Sequence, residues 1–492
     1  MNNQMRLSML NEGLKENTLI TLLKSVVRGT EYEGKVFIAG GYVRDEILGK
    51  KSKDIDLVIN LTDGGIKFAK YLAEKLGIYK EGSNPVVYER FGTAKVSFDG
   101  VTHNDVDLTG LDVECVAPRQ EKYNSDSRNP VTTAGTLKQD VERRDFTVNS
   151  LLKNLSTDEV EDLTGLGVED IKAGILRTPL DPEVIFSDDP LRMLRAVRFA
   201  VKYGWQFAPG LEQALTQNAH RMSIISKERV RDELEKMLIS PDPKRAIQIM
   251  MDTGLIEHIH PKLADALRQS VGMTQNRYHK YDVYGHILEV VANSSPGVPE
   301  RLAALLHDIG KPATRKPHAK NDGEYSFIGH EDDSMKLATE ILTDLKFPTA
   351  TIDHVVSAVG AHMSMKTPKD ATDKSVRKWV RGVVGSHAAE AAAKVLDTAI
   401  DLLRADAMGH QHTGEDPGDT SFLKQRIAAM GASEPKQMKQ DLVTGTDLMA
   451  AFNLQPGPKL KEMKNFVQDL IDGDPSISKE AAMQAVKDRF SL

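Results

Sequence analysis

Only one of the 492 residues is a cysteine, Cys115, so no internal disulfide can form and no cysteine-rich zinc site can be built. Aromatic residues are few, with two Trp, 11 Tyr and 14 Phe. No apolar run approaches the ~18 residues that a membrane-spanning helix needs, which excludes an integral helical membrane protein. The opening residues, Met1 to Arg6, lead into mixed polar sequence without the apolar core of a secretory leader, so a cytoplasmic location is expected. A basic excess is missing too. Against 71 Asp and Glu stand 64 Lys and Arg, a net charge of −7. That excludes an all-over cationic coat for nucleic acid but leaves room for a local basic cleft. The rest is ordinary for a globular chain, 40% hydrophobic and 27% charged, and at ~150 residues per domain its length suggests about three domains.

Histidine is unevenly spread. Of the 14 in the chain, 12 fall between His258 and His412, under a third of the length, where even scatter would place four or five. Something in that segment uses imidazole. Along the chain, Lys35–Ala39 reads as a short buried strand running into Gly40-Gly41, and a helix is expected over Tyr42–Leu48. Asp54–Ile59 alternates as a strand with Ile55 and Leu57 on one face, a helix follows over Ile66–Leu76, and Val86–Phe98 and Val113–Ala117 supply further strands. From about Glu183 helical periodicity dominates. Gly and Pro near Pro241–Pro243, Ser294–Pro299 and Glu415–Gly418 mark boundaries. The fold class is therefore α+β, a mixed-sheet head followed by a long helical body.

Two features of the head carry chemistry. Gly40-Gly41 between strand and helix lets the backbone approach a polyphosphate. Asp54-Ile55-Asp56 places two carboxylates on one face of a strand, since residues i and i+2 point the same way. Like charges that close need a cation, and such a pair suits Mg²⁺ and two-metal phosphoryl transfer. Asp105-Val106-Asp107 repeats the pattern without a Gly-Gly turn before it and reads as surface.

The order Gly-Gly-Tyr-Val-Arg44-Asp45, then Asp54-x-Asp56, then Arg143-Arg144-Asp145-Phe146-Thr147-Val148-Asn149 resembles the class II tRNA nucleotidyltransferase and poly(A) polymerase family. Asp188-Asp189-Pro190-Leu191-Arg192 through Phe199, and Ser226-Lys227-Glu228-Arg229 before Glu233-Leu234, match its later motifs. The resemblance implies a nucleotidyltransferase head in which Asp54 and Asp56 bind Mg²⁺ and Glu114 is a third catalytic carboxylate. It implies a nucleotide site of Gly40, Gly41, Arg44, Asp45, Arg144, Asp145, Asp189, Arg192 and Arg195, with Thr147 and Asn149 at a hinge. Asp189-Pro190 reads as a helix cap followed by proline in the first turn. Residues 189 and 192 are three apart, so their side chains can meet one ligand. Arg only donates hydrogen bonds and ionised Asp only accepts. Cytosine and adenine both offer an amino donor beside a ring-nitrogen acceptor, so one Asp/Arg pair can take both and leave buried groups unpaired against uracil and guanine.

In the histidine-rich segment, His307-Asp308 closes an apolar helix, His286 precedes it by 21 residues, and His330, His362 and Asp406 follow. Imidazole with carboxylate suits a divalent transition metal, of unknown identity here, better than Mg²⁺ alone. The set resembles the HD metal-dependent phosphohydrolases: His286, His307, Asp308 and Asp406 match the core ligand order, and His330 and His362 the extra ligands of two-metal members. Some nucleotidyltransferases carry such a domain, with phosphatase and 2′,3′-cyclic phosphodiesterase activities. Thr444–Met449 and Gln455–Leu460 resemble the C-terminal segment of those enzymes, although Lys461 stands where their pattern has Gly.

The expected organisation is a leader over 1–34, the head over 35–160, a helical neck and RNA-binding region over 161–270, the HD-type metal domain over 271–420 and a helical tail over 421–492. The expected function is addition or repair of the 3′-terminal CCA of tRNA from CTP and ATP, with a possible second, hydrolytic activity. The partners are then a tRNA 3′ end and the two nucleotides, with no membrane. The alternatives are a poly(A) polymerase on the same head, which Val86–Phe91 partly resembles, or an HD phosphohydrolase whose head only binds RNA. The stretch Met408–Ser421 maps onto no family element.

Overall fold

The computed structural model describes residues 3–52, 54–89, 92–124, 127–276, 279–318, 324–363, 371–385, 387–410, 420–430, 442–474 and 476–490. Most of Met408–Ser421, including the boundary signal at Glu415–Gly418, lies outside the described residues, as do Arg90 and Phe91 of Val86–Phe91. The chain forms two compact units: residues 1–226 with 252–255, and residues 227–251 with 256–492.

The first unit is built on a seven-stranded sheet. Its order across the sheet is Val160–Glu161, Leu152–Asn154, Val36–Ala39, Ile55–Ile59, Asp112–Val116, Thr93–Ser97 and Val86–Tyr88. One pairing, Ile55–Ile59 with Asp112–Val116, is parallel and the others are antiparallel, so the sheet is mixed as expected. Val36–Ala39 is buried along its whole length, as its continuous apolar run demands. In Ile55–Ile59 only Asp56 reaches solvent, while Ile55, Leu57, Val58 and Ile59 go into the core. Each such side chain contributes about 1.5–3 kcal/mol of burial, enough to fix the register and with it the face that Asp56 occupies. Helix Gly64–Lys75 packs on the sheet through Phe68, Ala69, Leu72 and Ala73. Asp105 and Asp107 are exposed beside a two-residue strand, the surface position expected of them.

After the sheet come helices Pro182–Asp188 and Leu191–Tyr203. The second buries Leu191, Met193, Leu194, Val197 and Ala200 along one stripe and leaves Arg195, Arg198 and Lys202 with solvent access. The second unit is helical. Val283–Asn293, Val298–Leu306, His330–Asp344, Thr349–Ala361 and Ala389–Gly409 pack side by side, and Leu302, Leu305, Val355, Val359 and Ile400 are among their buried contacts. Gly445–Phe452, Pro458–Gly473 and Lys479–Phe490 close the chain around a small core of their own, centred on Leu448, Met463 and Val486. No described helix is long and apolar enough to cross a membrane.

Candidate active and metal sites

Strand Val36–Ala39 delivers the chain into Gly40, whose φ of 69° and ψ of −123° suit a residue without a side chain. A Cβ there would meet Nη1 of Arg144 at 3.0 Å and the Asn149 carbonyl at 3.5 Å. Arg144 therefore lies against the turn. The neighbouring strand carries Asp56 on its open face, and Glu114 is the register partner of Asp56 on the parallel strand; the strand begins at Ile55, one residue later than expected, so Asp54 stands just before it, close enough for its charge to act on Asp56. Three carboxylates thus line one patch of the sheet. Loss of water around Asp56 and the Glu114 charge raise its carboxyl to about 6; Arg144 opposes the rise and Asp54 adds to it. Carboxylates that raise one another's proton affinity are those a divalent cation would hold together, so the donor set fits Mg²⁺.

Beside the turn runs a chain of buried hydrogen bonds. Tyr203 Oη donates to Asp45 Oδ1 at 3.0 Å, and Arg44 Nε donates to the same oxygen at 2.9 Å. Arg44 Nη1 donates to Asn149 Oδ1, and Asn149 Nδ2 donates to Asp145 Oδ1 at 3.0 Å. Arg195 Nε donates to Asp145 Oδ2 at 2.9 Å. Burial alone would raise the Asp145 carboxyl, but Arg195 and Asn149 bring it down to about 2. Asp140, fully buried, accepts from Arg143 at 2.6 Å and from Arg144 at 3.0 Å, and so fixes the second arginine over Gly40. The sequence motifs named Arg44, Asp45, Arg144, Asp145 and Arg195; the roles of Asp140 and Tyr203 were not visible in them. Tyr203 follows Arg195 by eight residues, two helical turns, which is the signal that places both on one face.

Asp189 is the C-cap of helix Pro182–Asp188, and its Oδ1 accepts from the backbone N–H of Leu191 at 3.2 Å; the N-cap of the next helix is Pro190, one residue later than expected. The next helix opens at Leu191, with Pro190 just before it. The Arg192 guanidinium is buried and turned to backbone, donating to the carbonyls of Ile185 at 3.3 Å and Arg143 at 2.6 Å. Thr147 is taken up by Asp170 at 2.7 Å, while Asn149 is the link in the hydrogen-bond chain above.

In the second unit six expected ligands converge. Asp308 stands between two groups. Its Oδ2 is 3.1 Å from His307 Nε2 and 3.5 Å from His286 Nε2; its Oδ1 is 3.1 Å from His330 Nε2 and 3.7 Å from His362 Nε2. Asp406 Oδ1 lies 2.9 Å from His286 Nε2 and 3.7 Å from His307 Nε2. The Nδ1 atoms of His307 and His330 lie 2.8 and 2.6 Å from the carbonyls of Ala304 and Phe327, and His362 Nδ1 meets the Val359 carbonyl at 2.5 Å. A proton held on each Nδ1 leaves the Nε2 lone pair aimed at the centre, the tautomer a metal ligand needs. Nitrogens facing each other at 3.4 Å (His286 and His307) and 3.2 Å (His330 and His362), around the buried Asp308 carboxylate, are an arrangement that cations would satisfy. The residues fit divalent cations, which His286, His307 and Asp308 in one group and Asp308, His330 and His362 in another would hold.

Three further side chains complete this centre. Lys311 Nζ is 2.5 Å from Asp308 Oδ2 and donates to Gln275 Oε1 at 2.7 Å. His279 and His410 meet through their Nε2 atoms at 2.7 Å beside His286, with which they form a third potential metal group. Burial, and in His279 the neighbouring His410, hold both rings well below the ordinary histidine value, at about 3 for His279 and about 4 for His410. His410 follows Asp406 by four residues, a helical spacing that marks it in the sequence. His279 lies outside any helix, and no periodicity points to it.

Three segments match described families: residues 36–177 the poly A polymerase head domain, 204–267 a probable RNA and SrmB-binding site of polymerase A, and 283–418 the HD domain. The chain is 38% identical over 232 residues to the mitochondrial CCA tRNA nucleotidyltransferase of Saccharomyces cerevisiae, covering 44% of this chain and 41% of that one. It is 34% identical to tRNA nucleotidyltransferase cca2 of Schizosaccharomyces pombe, of which it spans 52%. The chain thus spans about half, or less, of these two relatives. Against the A-adding tRNA nucleotidyltransferase of Deinococcus radiodurans it is 30% identical over 441 residues, 87% of this chain and 89% of that protein. Its fold is shared with the crystal structure of Bacillus stearothermophilus CCA-adding enzyme in complex with CTP, at a TM-score of 0.62 and 22% identity over 97% and 98% of the two chains. With a match that runs nearly end to end on the Deinococcus protein, the chain belongs to the tRNA nucleotidyltransferase family.

Proposed function

We propose that this protein completes the 3′-terminal CCA of tRNA from CTP and ATP. The observation that carries this reading is the patch made by Asp56 and Glu114 on adjacent strands, with Asp54 just before the first, beside the Gly40 turn that Arg144 covers. Mg²⁺ held by Asp54 and Asp56 would supply charge to the transferring phosphoryl group and lower the barrier to attack by the RNA 3′-hydroxyl. That hydroxyl displaces pyrophosphate from the α-phosphorus in line, and no covalent enzyme intermediate forms. The chain's own part is positioning. Gly40 and Gly41 admit the triphosphate, and Arg144 and the chain from Arg44 to Arg195 hold its surroundings rigid. Asp189 and Arg192, at the mouth of the following helix, accept the amino group and donate to the ring nitrogen of cytosine or adenine. For Arg192 this means exchanging a backbone carbonyl for the base, a move of one guanidinium.

Residues 35–160 carry the transfer in this reading, 161–270 the neck that meets RNA, and 271–420 a metal-dependent phosphohydrolase acting on phosphate esters such as a 2′,3′-cyclic end. Residues 1–34 and 421–492 lead into and close the chain. The location is cytoplasmic. At the histidine centre the ions are transition metals, since four imidazoles outnumber the two carboxylates, the hard oxygen donors that Mg²⁺ prefers.

A second reading has one observation in its favour: the relative matched nearly end to end is named for adding A alone. Incubation with each nucleotide separately tests both. A tRNA lacking CCA that takes two C residues from CTP, then one A from ATP, carries the proposal. A protein that ignores CTP and adds one A only to a tRNA ending in CC is an A-adding enzyme. Unlimited A addition makes it a poly(A) polymerase.

A further inference from the structure

Helix Leu191–Tyr203 ends in an aromatic ladder. Phe199 and Tyr203 stack at 5.9 Å with planes 7° apart, and Trp205 continues the stack at 4.6 Å. Cations crowd this ladder. Arg44 lies 5.2 Å from the Phe199 centroid and 5.0 Å from that of Tyr203; Arg195 and Arg198 lie 5.6 and 4.5 Å from Phe199. Lys50 and Lys202 approach Tyr203 at 4.6 and 5.0 Å. Five positive charges therefore share two rings. Asp45 answers Arg44 and Asp145 answers Arg195, both deep in the fold. Lys50 and Lys202 are exposed, and neither has an ion-pair partner among the described residues. Lost hydration, with Arg44, Arg198 and Lys50 nearby, holds the Lys202 ammonium below its ordinary value.

Aromatic faces offset part of this repulsion, ~0.5–1 kcal/mol for each exposed cation, but do not neutralise it. In a chain of net charge −7, such a local excess is a standing attraction for an anion. Which anion follows from where the charges sit. Arg44 and Arg195 are engaged by buried carboxylates and stand, in the proposed function, at the nucleotide pocket. Lys50 and Lys202 are flexible point charges on the outside, suited to phosphates that arrive along a strand and carry no base information. Lys50 is four residues from Asp54, at most ~14 Å of extended chain, so a strand whose end reaches the carboxylate patch passes within its reach.

We propose that Lys50 and Lys202, both beside the Tyr203 ring, form a docking point for a backbone phosphate of the RNA being extended, outside the triphosphate pocket. This rests on the reading of the substrate as an RNA 3′ end. The test uses the full chain with Lys50→Ala, Lys202→Ala, the double variant and Lys50→Arg. Binding to a tRNA lacking CCA is followed by fluorescence anisotropy between 50 and 200 mM salt, together with KM for RNA and for CTP. The double variant is expected to raise both Kd and KM for RNA about 10-fold and to flatten the slope of log K against log salt by about 1 to 2. Its KM for CTP and its kcat at saturating RNA stay at parental values, and Lys50→Arg binds as the parent does. A rise in KM for CTP instead would put a triphosphate at these lysines and overturn the proposal, as would an unchanged Kd and salt slope. A parent protein that binds no tRNA overturns the substrate reading along with it; a parent that binds, matched by the double variant, overturns the docking point alone.

Discussion

Single carboxylates in this protein are set to opposite ends of their range, and each setting has a measurable cost or benefit. Asp56 is raised from 3.8 to about 6 by lost hydration and by Glu114. A carboxyl that binds its proton more tightly folded than unfolded subtracts from stability. The subtraction begins near pH 4 and is complete above pH 6. Asp56→Asn should therefore raise the denaturation midpoint of the metal-free protein at pH 7.5 while lowering nucleotide addition by roughly 10²–10³-fold or more, the scale of losing one electrostatic stabiliser. Thermal melts in chelator beside primer-extension assays check both halves. Asp145 runs the other way. Its folded value of about 2 lies below the unfolded value of 3.8, so its contribution is present in full above pH 4 and disappears as pH falls through 2. Two units correspond to about 2–3 kcal/mol. Urea denaturation should find Asp145→Asn less stable than the parent by about that much at pH 7, with the gap closing between pH 4 and pH 2.

At the level of elements, glycines decide where the functional strands and helices come to rest. Gly310 follows the His307-Asp308 doublet, and a Cβ there would stand 2.4 Å from the His330 carbonyl and 2.6 Å from the Ser334 amide. Its φ is ordinary, so the constraint is contact and not backbone strain. Gly310→Ala has to push back the helix His330–Asp344, which carries His330 of the second candidate metal group. The expected result is a loss of about 1–3 kcal/mol of stability and of one equivalent of bound Co²⁺, read by denaturation and by elemental analysis. This dependence of sites on neighbouring elements explains what could be read beforehand. Asp54 and Asp56 were legible because strand alternation is local: Ile55 and Leu57 declare which face is buried. That His286, His307, Asp308, His330, His362 and Asp406 come together could be anticipated from their order in and just after helices with apolar stripes. Glu114 was named only by resemblance, since its pairing with Asp56 spans 58 residues and no local period records it. The hairpin Arg119–Asn124 with Ser127–Ala134 was missed, its polar residues lacking any alternation. The Tyr203–Asp45 hydrogen bond joins residues 158 apart and follows only from tertiary packing within the first unit.

Taken as a whole, the molecule keeps two kinds of metal chemistry on separate residues in separate compact units. The first unit offers oxygen donors at solvent-reaching positions of two adjacent inner strands; the second offers imidazoles and carboxylates that are mostly buried. That difference sets how each responds to metal removal. Asp54, Asp56 and Glu114 all reach solvent, so part of an ion's charge is replaced by water when it leaves, and chelator should cost the first unit more activity than stability. His286, His307, Asp308, His330 and His362 are almost fully buried, and an ion binding only the folded form adds RT ln(1 + [L]/Kd), ~4 kcal/mol at a thousandfold excess over Kd. Calorimetry of the full chain with and without EDTA should thus show a lowered transition in the histidine-bearing unit, and Mn²⁺ or Co²⁺ should restore it where Mg²⁺ does not. His307→Ala with Asp308→Ala removes the carboxylate common to both groups, so the same titration should leave that transition flat. The double variant, assayed with Mg²⁺ and CTP, should still extend a tRNA lacking CCA at the parental rate, because none of its altered atoms belongs to the carboxylate patch. A double variant that melts as the parent does in metal would mean that Asp308 does not hold ions, and one that fails to add nucleotides while remaining folded would mean that the two chemistries are coupled.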